Sequence, residues 1–120
     1  MSGVEIPLEV KDAAGALGHP IRLKIIEHLY DGHMATYTEL LNMLGVKKGS
    51  LTYHLNILGQ CGIVYSKQRL SELGDFHRAR YELAPWGKVV VDSLLAGYYS
   101  VVSSAPVAAR AVAETRGGAM

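Results

Sequence analysis

The 120-residue sequence predicts a mainly α fold carrying one β-hairpin, an α+β class. Three observations carry that prediction. Two short segments, each with one apolar face, meet at a turn containing Gly45. Two β-rich segments with basic residues and a polar connection follow directly. A long, broadly apolar segment behind a proline comes last, with helical rather than alternating periodicity.

Each element has its own warrant. Ile6-Pro7-Leu8-Glu9-Val10-Lys11 reads as a helix start, because proline is tolerated in a first turn and Glu9 there complements the helix dipole. Leu8, Ala13, Ala16 and Leu17 give it a weak apolar stripe, broken by Gly18-His19. Pro20 restarts a helix in which Ile21, Ile25, Ile26 and Leu29 recur at helical spacing, and Asp31-Gly32 stops it. Thr36-Tyr37-Thr38-Glu39 is a capping box, with a hydroxyl at the cap and a carboxylate three residues on. Leu40, Leu41 and Leu44 follow as a short buried face before Gly45. The next helix begins near Gly49-Ser50, carries Leu51, Leu55 and Leu58 on one face, and ends between Gly59 and Gly62. This pair is the helix-turn-helix pattern.

After Gly62 the texture changes. Residues Ile63 to Arg69 are rich in β-formers, and Phe76 to Leu83 alternate, with Ala79, Tyr81 and Leu83 on one face and Arg78, Arg80 and Glu82 on the other. Ser71 to Asp75 between them is turn chemistry. A basic hairpin directly after a helix-turn-helix is a winged helix. Pro85 then opens a long helix with Trp86, Val89, Val90, Leu94, Leu95, Tyr98, Val101 and Val102, ended or kinked by Pro106. A second short helical piece is expected from Val107 to about Thr115, with a frayed end after it. The expected organisation is a winged helix-turn-helix domain over residues 1–84 and a C-terminal helical dimerisation region over 85–116.

Charge and composition narrow the function. The net charge of +1 is unevenly spread. Residues 1–46 carry −3, residues 81–120 carry none net, and residues 47–80 carry +4 from Lys47, Lys48, Lys67, Arg69, Arg78 and Arg80 against Glu72 and Asp75. One basic block is a footprint for a polyanion, or else a solvated basic face. The single cysteine, Cys61, rules out an intramolecular disulfide framework and any multi-thiolate metal site in one chain. The opening Met1-Ser2-Gly3-Val4-Glu5 lacks a basic stretch followed by an apolar one. No signal peptide and a reducing, cytoplasmic setting are therefore expected.

Several segments resemble one regulator family. Leu17-Gly18-His19-Pro20-Ile21-Arg22-Leu23-Lys24-Ile25-Ile26 is similar to the opening of ArsR-type winged-helix regulators. Lys48-Gly49-Ser50-Leu51-Thr52-Tyr53-His54-Leu55-Asn56-Ile57-Leu58 resembles their recognition helix, with its His-Leu pair followed by a further leucine. Gly62-Ile63-Val64 is similar to their entry to the wing, and Tyr81-Glu82-Leu83-Ala84-Pro85-Trp86-Gly87 to their link from wing to last helix. The likeness runs from about Leu17 to Gly87 and has the flavour of small archaeal members of the ArsR/MarR superfamily. Ala84 stands where that link usually has Thr or Ser, and the thiolate ligands of the metal-sensing members are absent.

What the resemblance implies is a DNA-binding protein, and elementary chemistry says which residues would serve. Duplex DNA is a dense line of negative charge, and its major groove admits a helix. With Leu51, Leu55 and Leu58 inward, the opposite face of their helix carries Gly49, Tyr53, Asn56 and Gln60. Tyr53 and Asn56 are the candidates for base edges, and Lys47, Lys48, Ser50 and Thr52 for phosphates, with Gly49 allowing close approach. The plainer alternative for Tyr53 is a ring packed on the preceding helix. His54 is expected to be structural, at the edge of the core. In the wing, Lys67, Arg69, His77, Arg78 and Arg80 suit phosphate or minor-groove contacts, or else form a solvated hairpin. Arg22 and Lys24 are expected in surface ion pairs, for example with Glu27.

The last helix is too apolar for one small domain to bury. Packing Trp86, Val90, Leu94, Tyr98 and Val101 across a two-fold axis is the expected solution, with Gly97 allowing a close crossing; the alternative is packing against the first helix. Ser93 to Ala109 is uncharged but runs 17 residues, short of the roughly 20 a membrane span needs. Neither a catalytic constellation nor a phosphate-cradling glycine loop stands out, and His19, His28 and His33 lack the spacing of a helical metal site. No cofactor and no metal are expected, and an effector is left open. The expected function is a sequence-specific, homodimeric, double-stranded-DNA-binding transcriptional regulator of the repressor kind, and not an enzyme. The rival is a winged helix used as a protein-interaction module in a transcription or repair assembly.

Overall fold

In a computed structural model, residues 3–67 and 79–104 are described. The helices are α1 (Leu8–Ala16), α2 (Pro20–Leu29), α3 (Tyr37–Leu44), α4 (Lys48–Gln60) and α5 (Pro85–Ser104), and the strands are β1 (Ala35–Thr36), β2 (Val64–Lys67) and β3 (Arg80–Leu83). The chain divides into two compact units, Met1–Lys88 and Val89–Met120.

In the first unit the apolar stripes converge on one core. Ile25 and Leu29 of α2, Leu40 of α3, Leu51 and Leu58 of α4, and Ile63 and Val64 at the start of the sheet are fully buried. Burial of such side chains is the main favourable term in folding, about 1.5–3 kcal/mol each. Local chemistry sets the element ends. His19 Nδ1 accepts from the Ile21 N–H and caps α2, with Pro20 at the first position. The capping box of α3 is complete: Thr36 Oγ1 accepts from the Glu39 N–H, and a Glu39 carboxylate oxygen accepts from the Thr36 N–H. Gly45 closes α3 in the left-handed region, φ 63°.

The end of α4 is a Schellman motif. The Ile63 N–H donates to the Leu58 carbonyl (2.9 Å) and the Gly62 N–H to the Gly59 carbonyl (3.1 Å). Gly62 takes φ 71°, as that motif requires of the residue after the cap. The turn places Ile63 in the core and sends the chain into β2.

The sheet has the order β1-β3-β2, all antiparallel. β2 and β3 pair from Val64↔Leu83 to Lys67↔Arg80, so they form the base of the expected hairpin. β1 was not expected. Its two residues pair with the other edge of β3, Ala35↔Tyr81 and Thr36↔Arg80, and tie the hairpin base to the start of α3. The expected turn over Ser71 to Asp75 and the helical piece after Pro106 lie outside the described residues.

α5 opens in the first unit. The Ala84 carbonyl accepts from the Lys88 N–H, and Gly87 is buried flat against the backbone of Ile63. In the second unit the helix runs on from Val89, with Val89, Leu94, Tyr98, Tyr99 and Val101 exposed. No helix among the described residues is long and apolar enough to cross a membrane.

Candidate nucleic-acid interface

α4 shows two chemically distinct faces. Leu51, His54, Leu55 and Leu58 are buried, while Gly49, Thr52, Tyr53, Asn56, Gly59 and Gln60 are exposed. Tyr53 is 60% exposed. It meets His54 edge-on at 5.3 Å between centroids. Asn56 stands exposed one turn further along. Together they occupy the outward face that the leucine spacing leaves.

The start of α4 is basic and open. Lys47 is the cap residue, Lys48 opens the helix, and both are exposed; Gly49 is exposed and Ser50 half-buried. Among the described residues no side chain caps this end, and no acidic residue lies in the first turn. The first-turn N–H groups therefore lack a capping acceptor, the arrangement that suits an anion at a helix N-terminus. Thr52 is exposed but engaged. Tyr37, the first residue of α3, donates its hydroxyl proton to the Lys48 carbonyl (2.7 Å) and lies 2.9 Å from Thr52 Oγ1.

Lys67 and Arg80 face each other across the end of the β2–β3 ladder, and both are exposed. Lys67 Nζ lies 3.5 Å from Glu82 Oε1, and the Tyr65 hydroxyl also reaches Glu82. An open cleft of about 390 Å³ separates α4 from the strands, lined by Asn56, Gln60, Tyr65, Ser66 and Tyr81 among others. Burial, with a smaller contribution from Tyr37, raises the Tyr81 phenol above its ordinary value. Arg69, His77 and Arg78 lie outside the described residues.

Behind the exposed face lies a cluster that corrects one expectation. Arg22 is not in a surface ion pair with Glu27. It is only 9% exposed. Its Nε donates to the Ala16 carbonyl (2.6 Å), Nη2 to the Gly15 carbonyl (3.3 Å) and Nη1 to His54 Nδ1 (3.1 Å). The reason is positional: residue 22 lies three, four and seven places before Ile25, Ile26 and Leu29, on the apolar face of α2. That register was the signal for its burial, and its charge concealed it. His54 is buried, as expected, and its ring lies tilted against that of His19, 4.4 Å between centroids. Burial lowers its pKa below the usual histidine value, with His19 and then Arg22 adding to the effect. One guanidinium thus joins the end of α1, the start of α2 and the inner face of α4.

The three histidines weighed for a metal are split. His19 sits with His54, while His28 and His33 stack at 6.5 Å. Among the described residues no group of three or more metal-ligating side chains comes together. Burial, and then Asp12, pushes the Cys61 thiol up, away from the reactive thiolate.

Of the residues expected at a dimer interface, Trp86 and Val90 are half-buried, while Leu94, Tyr98 and Val101 are 60%, 50% and 44% exposed. Trp86 belongs to the first unit, where a side chain on Gly62 would sit 3.6 Å from its ring. Its Nε1 is buried with no hydrogen-bond partner among the described residues.

Comparison with known proteins converges on one fold. Residues 19–66 match the model of the bacterial regulatory protein, arsR family. HlyU from Vibrio cholerae is 22% identical, with a TM-score of 0.59 over 72% of this chain and 87% of its own. A transcriptional regulator homologue from Pyrococcus horikoshii is 23% identical, with a TM-score of 0.59 over 79% of this chain and 94% of its own. A homodimeric winged helix-turn-helix DNA-binding domain from Mycobacterium bovis is 17% identical, with a TM-score of 0.61 over 78% of this chain and 80% of its own. Comparison with curated protein sequences gives no match.

Proposed function

We propose that the chain is an ArsR-type, sequence-specific regulator of transcription that binds double-stranded DNA as a homodimer and represses by occupying a promoter, a reading supported by the family match over residues 19–66 and the shared fold. The observation that carries this reading is the outward face of α4, exposed at Gly49, Tyr53 and Asn56 behind a basic, uncapped first turn. Tyr53 and Asn56 reach base edges. Lys47, Lys48 and Ser50, with the first-turn N–H groups, hold phosphates. Lys67 and Arg80 extend the cationic surface along the wing, and Arg69, His77 and Arg78 of the same basic block join them.

The dimer forms through the second unit. Leu94, Tyr98 and Val101 there leave an apolar face exposed that a two-fold partner covers, setting two copies of α4 against half-sites about 34 Å apart. The homodimeric state of the Mycobacterium bovis domain supports this arrangement. Residues 1–84 read the DNA and 85–116 join the protomers, in a protein of the cytoplasm.

The test is fluorescence anisotropy with random-sequence duplex DNA over a salt series, with light scattering to follow mass. Wild type binds with a steep salt dependence. Lys48→Ala lowers the log–log slope by about one, and Tyr53→Ala weakens binding. Leu94→Glu yields monomers that bind more weakly. Absence of binding by folded protein at low salt overturns the reading and favours a protein-docking module.

A further inference from the structure

We infer that Tyr37 and Thr52 form a hydroxyl relay that positions the first turn of α4, and that Thr52 supports DNA binding through Tyr37 rather than by touching a phosphate. This rests on the reading of α4 as the DNA-recognition helix.

Proton accounting fixes the relay. A phenol has one proton, and a carbonyl oxygen only accepts. At 2.7 Å from the Lys48 carbonyl, the Tyr37 hydroxyl spends its proton there. The 2.9 Å contact between Tyr37 and Thr52 then requires the Thr52 hydroxyl to be the donor. Each hydroxyl has committed its proton. Phosphate oxygens at neutral pH accept and do not donate, so neither hydroxyl can hold a phosphate without breaking the relay. Thr52 is exposed on the right face for a phosphate contact, yet its donor points elsewhere.

The relay also has a firm base. Tyr37 follows Thr36, whose backbone is fixed twice, by the capping box with Glu39 and by pairing with Arg80 of β3. The Lys48 carbonyl lies in the turn that carries Lys47, Lys48 and Gly49. One run of bonded groups therefore leads from β3 through β1 and Tyr37 to the N-terminal turn of α4. It fixes the recognition helix against the base of the wing, two parts that must engage one DNA duplex together.

A double-mutant cycle tests this, using Tyr37→Phe, Thr52→Val and both, with Thr52→Ser as the conservative variant. Affinity for random-sequence duplex is measured at fixed salt, with folding of each variant verified by circular dichroism. Each single change weakens binding about fivefold, the scale of one hydrogen bond. The double variant is no weaker than the worse single one, and Thr52→Ser binds like wild type. The salt slope stays at the wild-type value throughout. Multiplying losses in the double variant, or unchanged binding in both single ones, overturns the inference while leaving DNA binding intact. A folded wild type that does not bind duplex at low salt overturns the functional reading itself, and the inference with it.

Discussion

Replacing Gly87 with alanine drives a methyl group into the backbone of Ile63. A Cβ built on Gly87 lies 2.2 Å from the Ile63 carbonyl oxygen and 3.0 Å from its carbonyl carbon and Cα. Ordinary contact begins near 3.4 Å, so the two backbones must part by more than 1 Å. Ile63 has little freedom to give way. Its carbonyl accepts from the Ala84 N–H (2.8 Å), its N–H closes the Schellman motif on Leu58, and its side chain is fully buried. Overpacking costs about 1–3 kcal/mol, and straining the Ala84 bond adds about 1 kcal/mol. Alanine recovers up to about 1 kcal/mol through its better helix propensity. The net loss is about 1–4 kcal/mol, with the middle of that range worth about 15 °C in Tm for a unit of this size. Urea unfolding at fixed protein concentration reads it, followed by the fluorescence of Trp86, the only tryptophan in the sequence. Gly49→Ala is the control, because its Cβ meets nothing within 4 Å. A Gly87→Ala variant within about 0.5 kcal/mol of wild type refutes the close approach of α5 to Ile63.

The buried cluster yields two more outcomes. Arg22→Met leaves the Ala16 carbonyl and His54 Nδ1 without their donor and destabilises by about 2–4 kcal/mol, whereas a surface ion pair would cost under about 1 kcal/mol; chemical denaturation distinguishes the two. His54 is held neutral in the fold, because Nδ1 must stay unprotonated to accept from Arg22 while burial, His19 and Arg22 all disfavour its charge. Its contribution is complete above the ordinary histidine pKa of about 6.5 and is lost as pH falls, since the unfolded chain takes the proton first. His54→Asn, which keeps an uncharged acceptor, therefore flattens the stability–pH curve below that point by up to about 1.4 kcal/mol per pH unit. Equal slopes for the two proteins between pH 5 and 6.5 contradict the assignment.

How far the sequence was informative depended on whether the relevant physics is local. The outward face of α4 could be read because Leu51, Leu55 and Leu58 define the inward one, and the remaining positions follow from helical geometry. The capping box of α3 and the glycine ends of α3 and α4 are equally local, each decided within a few residues. β1 was hidden because two residues carry no alternation to detect. Arg22 was misread because a charged residue in an apolar register looks like a surface residue until its acceptors, six, seven and 32 residues away, are known. The Tyr37–Thr52 contact bridges 15 residues and two helices, and each residue had a sufficient local explanation without the other.

The missing cap on α4 sets two demands on the protein against each other. A campaign to raise thermal stability would begin with Lys47, where serine or aspartate would cap the helix and add about 1 kcal/mol. The same change would fill the positive end of the helix with the protein's own oxygen and leave an incoming phosphate to compete for it. On the proposed reading of α4, variants selected for heat resistance alone would thus drift toward proteins that outlast the original but bind DNA less tightly. Selection for both traits would have to find its stability elsewhere, at positions such as Gly15 of α1, which is exposed and where an added Cβ meets nothing within 4 Å.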